Sequence, residues 1–225
     1  MPYGPWQLMK IPYGDAPFLD TAEEAVQSAR LARGRALEML DEALAALPSR
    51  ADVVVVVGDF NEPSHKDWTE KAAMAGLHPM QVRWPFSEAL EQRGFVDAYR
   101  QVKPDEIKFP GATFDVYNPN VASTNERIDF VYVRPEQGIS CKVISADLVG
   151  ASGSKGKCDL PFPKGVAYPS DHRALVVELE LKSMSFIQHS AHAIQQKLER
   201  SLFRKRRRAH SRASSIGSSQ DVKDS

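Results

Sequence analysis

The stretch that decides the fold is residues 53–61, VVVVVGDFN, in which five valines lead directly into Gly58, Asp59, Phe60 and Asn61. Five β-branched residues in a row are too short for a free helix and are apolar on both faces of a pleat. The run therefore predicts a central strand of a layered α/β sheet, buried on both sides. Polar residues in the loop after such a strand are well placed for function.

The segment before this strand predicts a long helix. Thr21 and Glu24 have capping-box spacing, and apolar residues recur at helical intervals up to Pro48, which ends the pattern. The first twenty residues are rich in Pro, Gly and Tyr, a composition that interrupts helices and strands. They predict an ordered loop that leads into the helix.

The chain after the valine run continues the mixture of helix and strand. Residues 68–77 and 87–93 predict short helices, the second closed by Gly94. Three later segments have the apolar patterning of strands and predict successive strands of one sheet: residues 128–133, 141–148 and 173–181. The fold class is therefore α/β.

Length and composition indicate one domain with appendages. The chain has 225 residues, of which 42% are hydrophobic and 26% are charged, and this balance is typical of a domain with a buried core. No apolar run approaches the roughly 20 residues needed to cross a bilayer, and the start lacks the layout of a secretory signal. These features predict an intracellular protein, cytoplasmic or nuclear, in which Cys141 and Cys158 are unpaired thiols.

The net charge of +0 conceals a basic C-terminus. Residues 204–225 hold seven of the 29 basic and two of the 29 acidic side chains, so the preceding chain has an excess of five acids. Residues 183–208 predict an amphipathic basic helix, and the Ser-rich residues 209–225 predict disorder. One interpretation is binding of a polyanion, and the alternative is a solvated tail without a partner. The run of consecutive charges is Arg204, Lys205, Arg206, Arg207 and Arg208.

Asp59 and Asn61 are the first candidate site residues. They lie two positions apart just beyond the valine strand, so in a locally extended chain both side chains would leave the same face. A carboxylate and an amide would then converge on one ligand. The alternative is an ordinary Asx turn after a strand.

Asp129 and His172 form the second candidate group. Asp129 lies in an otherwise apolar predicted strand, where an unpaired carboxylate would cost several kcal/mol, so it should have a buried partner. His172 follows Asp171 directly before another predicted strand, and imidazole is the side chain best suited to proton transfer near neutral pH. An aspartate that accepts from one ring nitrogen leaves the other free for substrate. Arg127 is the competing partner of Asp129.

Three short motifs in this order resemble a known superfamily. The motifs are GDFN at residues 58–61, RIDF at 127–130 and SDH at 170–172, and together they are similar to the signature of the endonuclease/exonuclease/phosphatase superfamily. This superfamily includes pancreatic deoxyribonuclease, apurinic endonucleases, neutral sphingomyelinases and inositol polyphosphate phosphatases. The resemblance covers roughly residues 6–181, and the segments at 94–99 and 112–114 are also similar to its connecting segments.

The resemblance implies a four-layered α/β sandwich of the deoxyribonuclease I-like type and a phosphoesterase that depends on Mg²⁺ or Mn²⁺. It implies that Asp59 orients or activates the attacking water and that Asn61 holds a phosphate oxygen. Asp59, Asn61 and Asp171 would be the metal-binding residues. His172, oriented by Asp129, would transfer a proton or donate to the developing negative charge. Nucleic acid, a phospholipid or an inositol phosphate would each suit this chemistry.

The chain lacks several residues that the superfamily has in its first half: an early Asn, a metal-binding Glu, and a further His or Tyr. We therefore expect the C-terminal part of the sandwich, over residues 1–182, with an apolar sheet face that favours self-association. The alternative function is a catalytically inactive fragment or interaction module that binds nucleic acid or an anionic membrane through the basic tail.

Overall fold

The computed structural model describes residues 4–12, 14–47, 52–114, 126–136, 138–150 and 168–184. Helices and strands alternate irregularly along them, in agreement with the predicted mixture of α and β structure. The helices are α1 (Gly4–Leu8), α2 (Ala22–Ala45), α3 (Glu70–Met74), α4 (Pro85–Gln92) and α5 (Ala98–Val102). The strands are β1 (Val53–Asp59), β2 (Val96–Asp97), β3 (Asp129–Pro135), β4 (Ile139–Val149) and β5 (Ala174–Ser183). In the part of the chain so described, no helix is both long and apolar enough to cross a membrane.

The chain divides into two compact units. The first comprises Met1–Glu136 and Cys141–Leu181, and it contains the candidate site residues. The second comprises Gln137–Ser140 and Lys182–Ser225. In the second unit the Met184 amide donates to the Gly138 carbonyl at 2.8 Å. The predicted basic helix at 183–208 lies almost wholly outside the described residues, and the predicted tail at 209–225 lies outside them altogether.

Helix α2 begins where the capping box predicts. The Thr21 hydroxyl accepts from the Glu24 amide at 3.2 Å, and the Glu24 carboxylate accepts from the Thr21 amide at 3.1 Å. Two of the four free N–H groups of the first turn region are thereby satisfied within the cap. The helix buries Ala25 and Ala29 completely or nearly so and packs its later leucines against the sheet.

The N-terminal segment is not only a loop, because Gly4–Leu8 forms the short helix α1. Leu8 of this helix packs in one core cluster with Trp84 and the small residues of α2. A Cβ atom on Gly4 would lie 3.1 Å from the Trp84 ring, so glycine permits the close approach. Tertiary packing against a tryptophan thus overrides a composition that by itself predicts a loop.

The sheet that carries the site has the order β1-β3-β2, with antiparallel neighbours. Its register places Asp59 at the end of β1 opposite Asp129 at the start of β3. Strands β4 and β5 form a separate two-stranded sheet, so the prediction that the three later strands are successive members of one sheet is wrong. Leu175, Val177 and Leu179 of β5 pack on the core with one face, while the residues between them point outward. Strands with one covered face can pack against a neighbouring layer without joining its hydrogen-bonded ladder.

The prediction that the valine strand is central and buried on both sides is also wrong. Strand β1 lies at the edge of the described three-stranded sheet, and only Val54 of the valine run is buried. Val55 and Val57 are 43% and 62% exposed. One face of β1 packs against Phe86 and Leu90 of helix α4, whereas its other face reaches solvent.

Candidate active site

Asp59 and Asn61 converge through a tight turn rather than through an extended chain. The Asn61 amide donates to Asp59 Oδ1 at 2.7 Å, and Asn61 Nδ2 donates to Asp59 Oδ2 at 2.8 Å. The φ angle of Gly58 is 150°, a value that favours glycine. That of Asn61 is 48°, in the left-handed region that asparagine tolerates. The Asx turn, considered above as an alternative to a site, is therefore the arrangement that brings the two side chains together.

The turn is held from both sides by the main chain of Phe60. The Phe60 amide donates to the Ile128 carbonyl at 2.8 Å, which extends the pairing of β1 with β3. Its carbonyl accepts from Arg33 Nε at 3.1 Å, a contact from helix α2. Sequence reasoning did not identify Arg33, since it is one of several arginines on the polar positions of a long helix.

Asp129 and His172 are hydrogen-bonded across 43 residues of chain, as the sequence predicts. His172 Nδ1 lies 2.9 Å from Asp129 Oδ2. Because an ionised carboxylate can only accept, Nδ1 carries the proton of this bond. Asp59, Asp129 and His172 each offer one atom that could bind a metal ion, and these atoms all lie within 4.8 Å of one another. Two carboxylates and an imidazole thus converge at the end of β1 and the start of β3.

Two pKa values in the cluster are raised, that of Asp59 chiefly by burial and that of His172 by the neighbouring carboxylates. Burial raises the pKa of Asp59 and the charge of Asp129 adds to it, while the hydrogen bonds from Asn61 act in the opposite direction. Burial by itself lowers the pKa of His172, but the hydrogen bond and charge of Asp129, with the charges of Asp59 and Asp171, raise it overall. The charges of neighbouring carboxylates contribute to both increases, and an excess of negative charge at one point favours a bound cation.

Asp171 lies next to this cluster rather than within it. It is exposed in the turn before β5, and it acts on His172 through its charge. The His172 amide donates to Ser170 Oγ at 3.0 Å, which shapes the SDH turn. Among the described residues, the group with converging metal-ligand atoms is Asp59, Asp129 and His172.

Arg127 is not the partner of Asp129. The residue is only 2% exposed. Its guanidinium donates to Asp67 and Asp97, with Nη2 at 2.7 Å from Asp97 Oδ2. Burial lowers the pKa of Arg127, but the two carboxylates outweigh this effect and raise it overall. Asp129 therefore pairs with His172, and the buried charge of Arg127 is balanced by Asp67 and Asp97.

The residues of the cluster fit a small divalent cation. Carboxylate oxygens are the ligands that Mg²⁺ and Mn²⁺ prefer in proteins, and Asp59 and Asp129 place two of them on facing strands. The raised pKa of Asp59 has the mutual repulsion of these carboxylates among its causes, and a cation between them would offset it.

Comparison with known proteins agrees with the motifs. The model of the endonuclease/exonuclease/phosphatase family matches residues 11–172, which is well over half of the chain. The chain belongs to this family. An uncharacterized protein of Caenorhabditis elegans is 32% identical to it over 133 residues. That match covers 56% of this chain and 40% of the relative. No solved structure matches the chain.

Members of the endonuclease/exonuclease/phosphatase family are generally hydrolytic enzymes. Members of the family generally use divalent metals, which agrees with the chemistry of the converging side chains. The family match ends at His172 and includes every residue of the cluster. The site described above is therefore the part of the chain from which a function is best inferred.

Proposed function

We propose that this protein is a metal-dependent hydrolase of phosphate esters that acts by in-line attack of water. The observation that carries the proposal is the convergence of Asp59, Asp129 and His172 within 4.8 Å. Uncatalysed phosphate ester hydrolysis is extremely slow, so an enzyme must supply both charge stabilisation and proton transfer. Carboxylates with an oriented imidazole offer these two capacities in one place.

In the proposed reaction, Asp59 orients the attacking water by accepting a hydrogen bond from it. Asp59 takes the proton of the water as the new bond to phosphorus forms and the bond to the leaving oxygen breaks. Asn61 is fixed to Asp59 through its side-chain nitrogen, so its amide oxygen is available to the water or the cation. Asp129 holds the His172 ring through Nδ1 and leaves Nε2 directed away from this bond. Nε2 then donates to a phosphoryl oxygen or to the leaving oxygen as negative charge develops there.

A Mg²⁺ or Mn²⁺ ion would be held by Asp59 and Asp129, with Asp171 reaching it directly or through water. When bound, the cation supplies Lewis-acid stabilisation of the phosphoryl charge. The positive charge on His172 is favoured by the same carboxylates. A raised histidine pKa increases the fraction of this donor that is protonated at a given pH.

The experiment that tests the proposal is hydrolysis of bis-p-nitrophenyl phosphate by the purified 225-residue protein with Mg²⁺ or Mn²⁺. We expect turnover that EDTA abolishes and that Asp59→Asn or His172→Gln lowers by about 10²–10⁴-fold. Asp105→Asn is the matched control, since Asp105 is a partly exposed carboxylate paired with Lys71 outside the cluster. Absence of turnover from folded protein, or equal loss in the control variant, contradicts the proposal.

We further propose that the C-terminal basic run binds a polyanion. The sequence supports this through five consecutive positive charges at residues 204–208, which lie outside the described residues. Such binding should weaken steeply with salt and should survive the loss of Asp59 and His172. Titration of a single-stranded oligonucleotide at two salt concentrations, with the five residues replaced by serine as control, tests it. Retained binding in the serine variant would contradict it.

A further inference from the structure

Thr113 lies at the point where the two segments that supply Asp129 and His172 meet. Its side chain is completely buried, and its hydroxyl accepts from the amides of Ile128 at 3.1 Å and Asp129 at 3.2 Å. Its own carbonyl accepts from the amide of Arg173 at 2.7 Å. One residue thus holds the main chain of Asp129 with its side chain and the main chain next to His172 with its carbonyl.

The segment around Thr113 is itself fixed by further contacts. Arg173 Nη1 donates to the Ala112 carbonyl at 2.8 Å, so two bonds join the SDH turn to residues 112 and 113. The Phe114 ring lies with its centroid 4.8 Å from that of His172. On the other side, the Thr113 amide donates to the Glu126 carbonyl at 3.0 Å. Neither the SDH turn nor the start of β3 can shift without disturbing this residue.

We propose that Thr113 is a positioning residue that sets the Asp129–His172 hydrogen bond. Asp129 and His172 are taken as the reacting pair, so the catalytic consequence of this role rests on the proposed function. A hydroxyl oxygen can accept two hydrogen bonds, and here both come from consecutive amides at the beginning of β3. Removing it leaves two buried N–H groups without their acceptor, and the strand end that carries Asp129 must move to satisfy them.

Thr113 differs from a threonine that only caps a helix. Thr69, for example, caps helix α3 by accepting from the Ala72 amide at 3.0 Å and donates to Glu106 at 2.6 Å. Its loss would cost stability without any direct contact to the candidate site. The two threonines therefore separate a positioning role from a general loss of stability.

The test compares Thr113→Val, which keeps the shape and removes the hydroxyl, with Thr113→Ser, which keeps the hydroxyl, and with Thr69→Val as control. The readout is the ¹⁵N chemical shifts of the His172 ring in the ¹⁵N-labelled 225-residue protein, measured at a pH above the His172 pKa, where the ring is neutral, and assigned with His172→Gln. We expect the Nδ1–H tautomer to predominate in the wild type, in Thr113→Ser and in Thr69→Val. In Thr113→Val its fraction should fall close to that in Asp129→Asn.

A folded Thr113→Val protein with the wild-type tautomer would overturn the proposal. If that variant does not fold, amide exchange in the unmodified chain decides: the amides of Ile128, Asp129 and Arg173 should be protected together. Fast exchange at Arg173 beside slow exchange at Asp129 would also overturn it. Because neither readout needs activity, an inactive protein would contradict the proposed function and leave this inference to be decided separately. In an active protein, we expect Thr113→Val to lower kcat with little change in KM.

Discussion

At the scale of single residues, Asp129 has a direct influence on the protonation of His172. The pKa of His172 is lowered by burial, but the hydrogen bond and charge of Asp129 raise it above the ordinary 6.5. A raised histidine pKa stabilises the fold below the unfolded-state value, and this contribution is lost as the pH rises through the folded-state value. The interaction of Asp129 with His172 therefore stabilises the fold fully below the ordinary pKa of 6.5 and progressively less as the pH rises above it.

The first prediction concerns this coupling. In Asp129→Asn, the pKa of His172 should fall, because the amide supplies neither the charge nor the strong acceptor. NMR titration of the histidine rings measures this directly. His78 serves as internal control, since burial lowers its pKa to about 4 and it is not part of the cluster. The stability advantage of the wild type should shrink as the pH rises past the raised pKa. An unchanged His172 titration would count against the pairing.

Arg127 illustrates a second kind of residue effect, in which charge is compensated in the interior. It donates to Asp67 and Asp97 while it is almost completely buried. Removing Arg127 leaves Asp97 without this counter-charge, whereas Asp67 keeps its ion pair with Arg100. A buried charge left unpaired in this way costs about 3–5 kcal/mol. We predict that Arg127→Met lowers the free energy of unfolding by about that amount, measured by urea denaturation.

The control for Arg127 is Arg83→Met. Arg83 forms an ion pair with Glu88, but its side chain is 56% exposed. Exposed pairs contribute about 0–1 kcal/mol, so this variant should unfold close to the wild type. Similar losses in the two variants would mean that burial is not what makes the Arg127 contacts important.

At the scale of elements, helix α2 depends on its capping box and on the leucines that it packs against the first sheet. The reciprocal bonds between Thr21 and Glu24 define its first residue, Ala22. Arg33 of the same helix holds the Phe60 carbonyl in the GDFN turn. The position of the helix along its own axis is thus linked to the candidate site.

We predict that Thr21→Ala lowers the free energy of unfolding by about 1 kcal/mol, because the Glu24 amide loses its acceptor. Thermal unfolding followed by circular dichroism at 222 nm measures the loss. Thr21→Ser keeps the hydroxyl and is expected to stay close to the wild type. If the serine variant loses as much as the alanine variant, the cap is not the cause.

At the scale of the whole molecule, the exposed valines of β1 are the feature with the clearest consequence. Val55 and Val57 reach solvent from the edge strand of the described three-stranded sheet. An edge strand of this kind offers both apolar side chains and main-chain groups to another chain. We propose that this surface supports self-association of the protein.

The corresponding prediction is a sedimentation coefficient that rises with protein concentration and that Val55→Thr with Val57→Thr reduces toward the monomer value. Threonine preserves the β-branched shape and the strand propensity, so the fold should be retained. Leu31→Gln is the control, since Leu31 is 83% exposed on helix α2 rather than on the strand. Equal association of the valine double variant and the wild type would locate the contact elsewhere.

The sequence by itself determined the features that depend on near neighbours and on chemical necessity. The capping spacing of Thr21 and Glu24 located the start of α2, and the α/β class followed from the segment patterns. A carboxylate in an apolar segment required a partner, and this requirement led from Asp129 to His172. The three motifs pointed to the family that the comparison then showed.

Only the tertiary structure decided which face of the valine run is covered, which strands share a sheet, and where Arg127 finds its carboxylates. It also showed that Thr113 joins Asp129 to the segment of His172. These outcomes depend on residues far apart in the chain, because a strand's sequence records how apolar it is but not which layer will lie against it. Local propensity acts over three or four residues, whereas burial and buried charge pairing are settled by whichever distant segments the packing brings together.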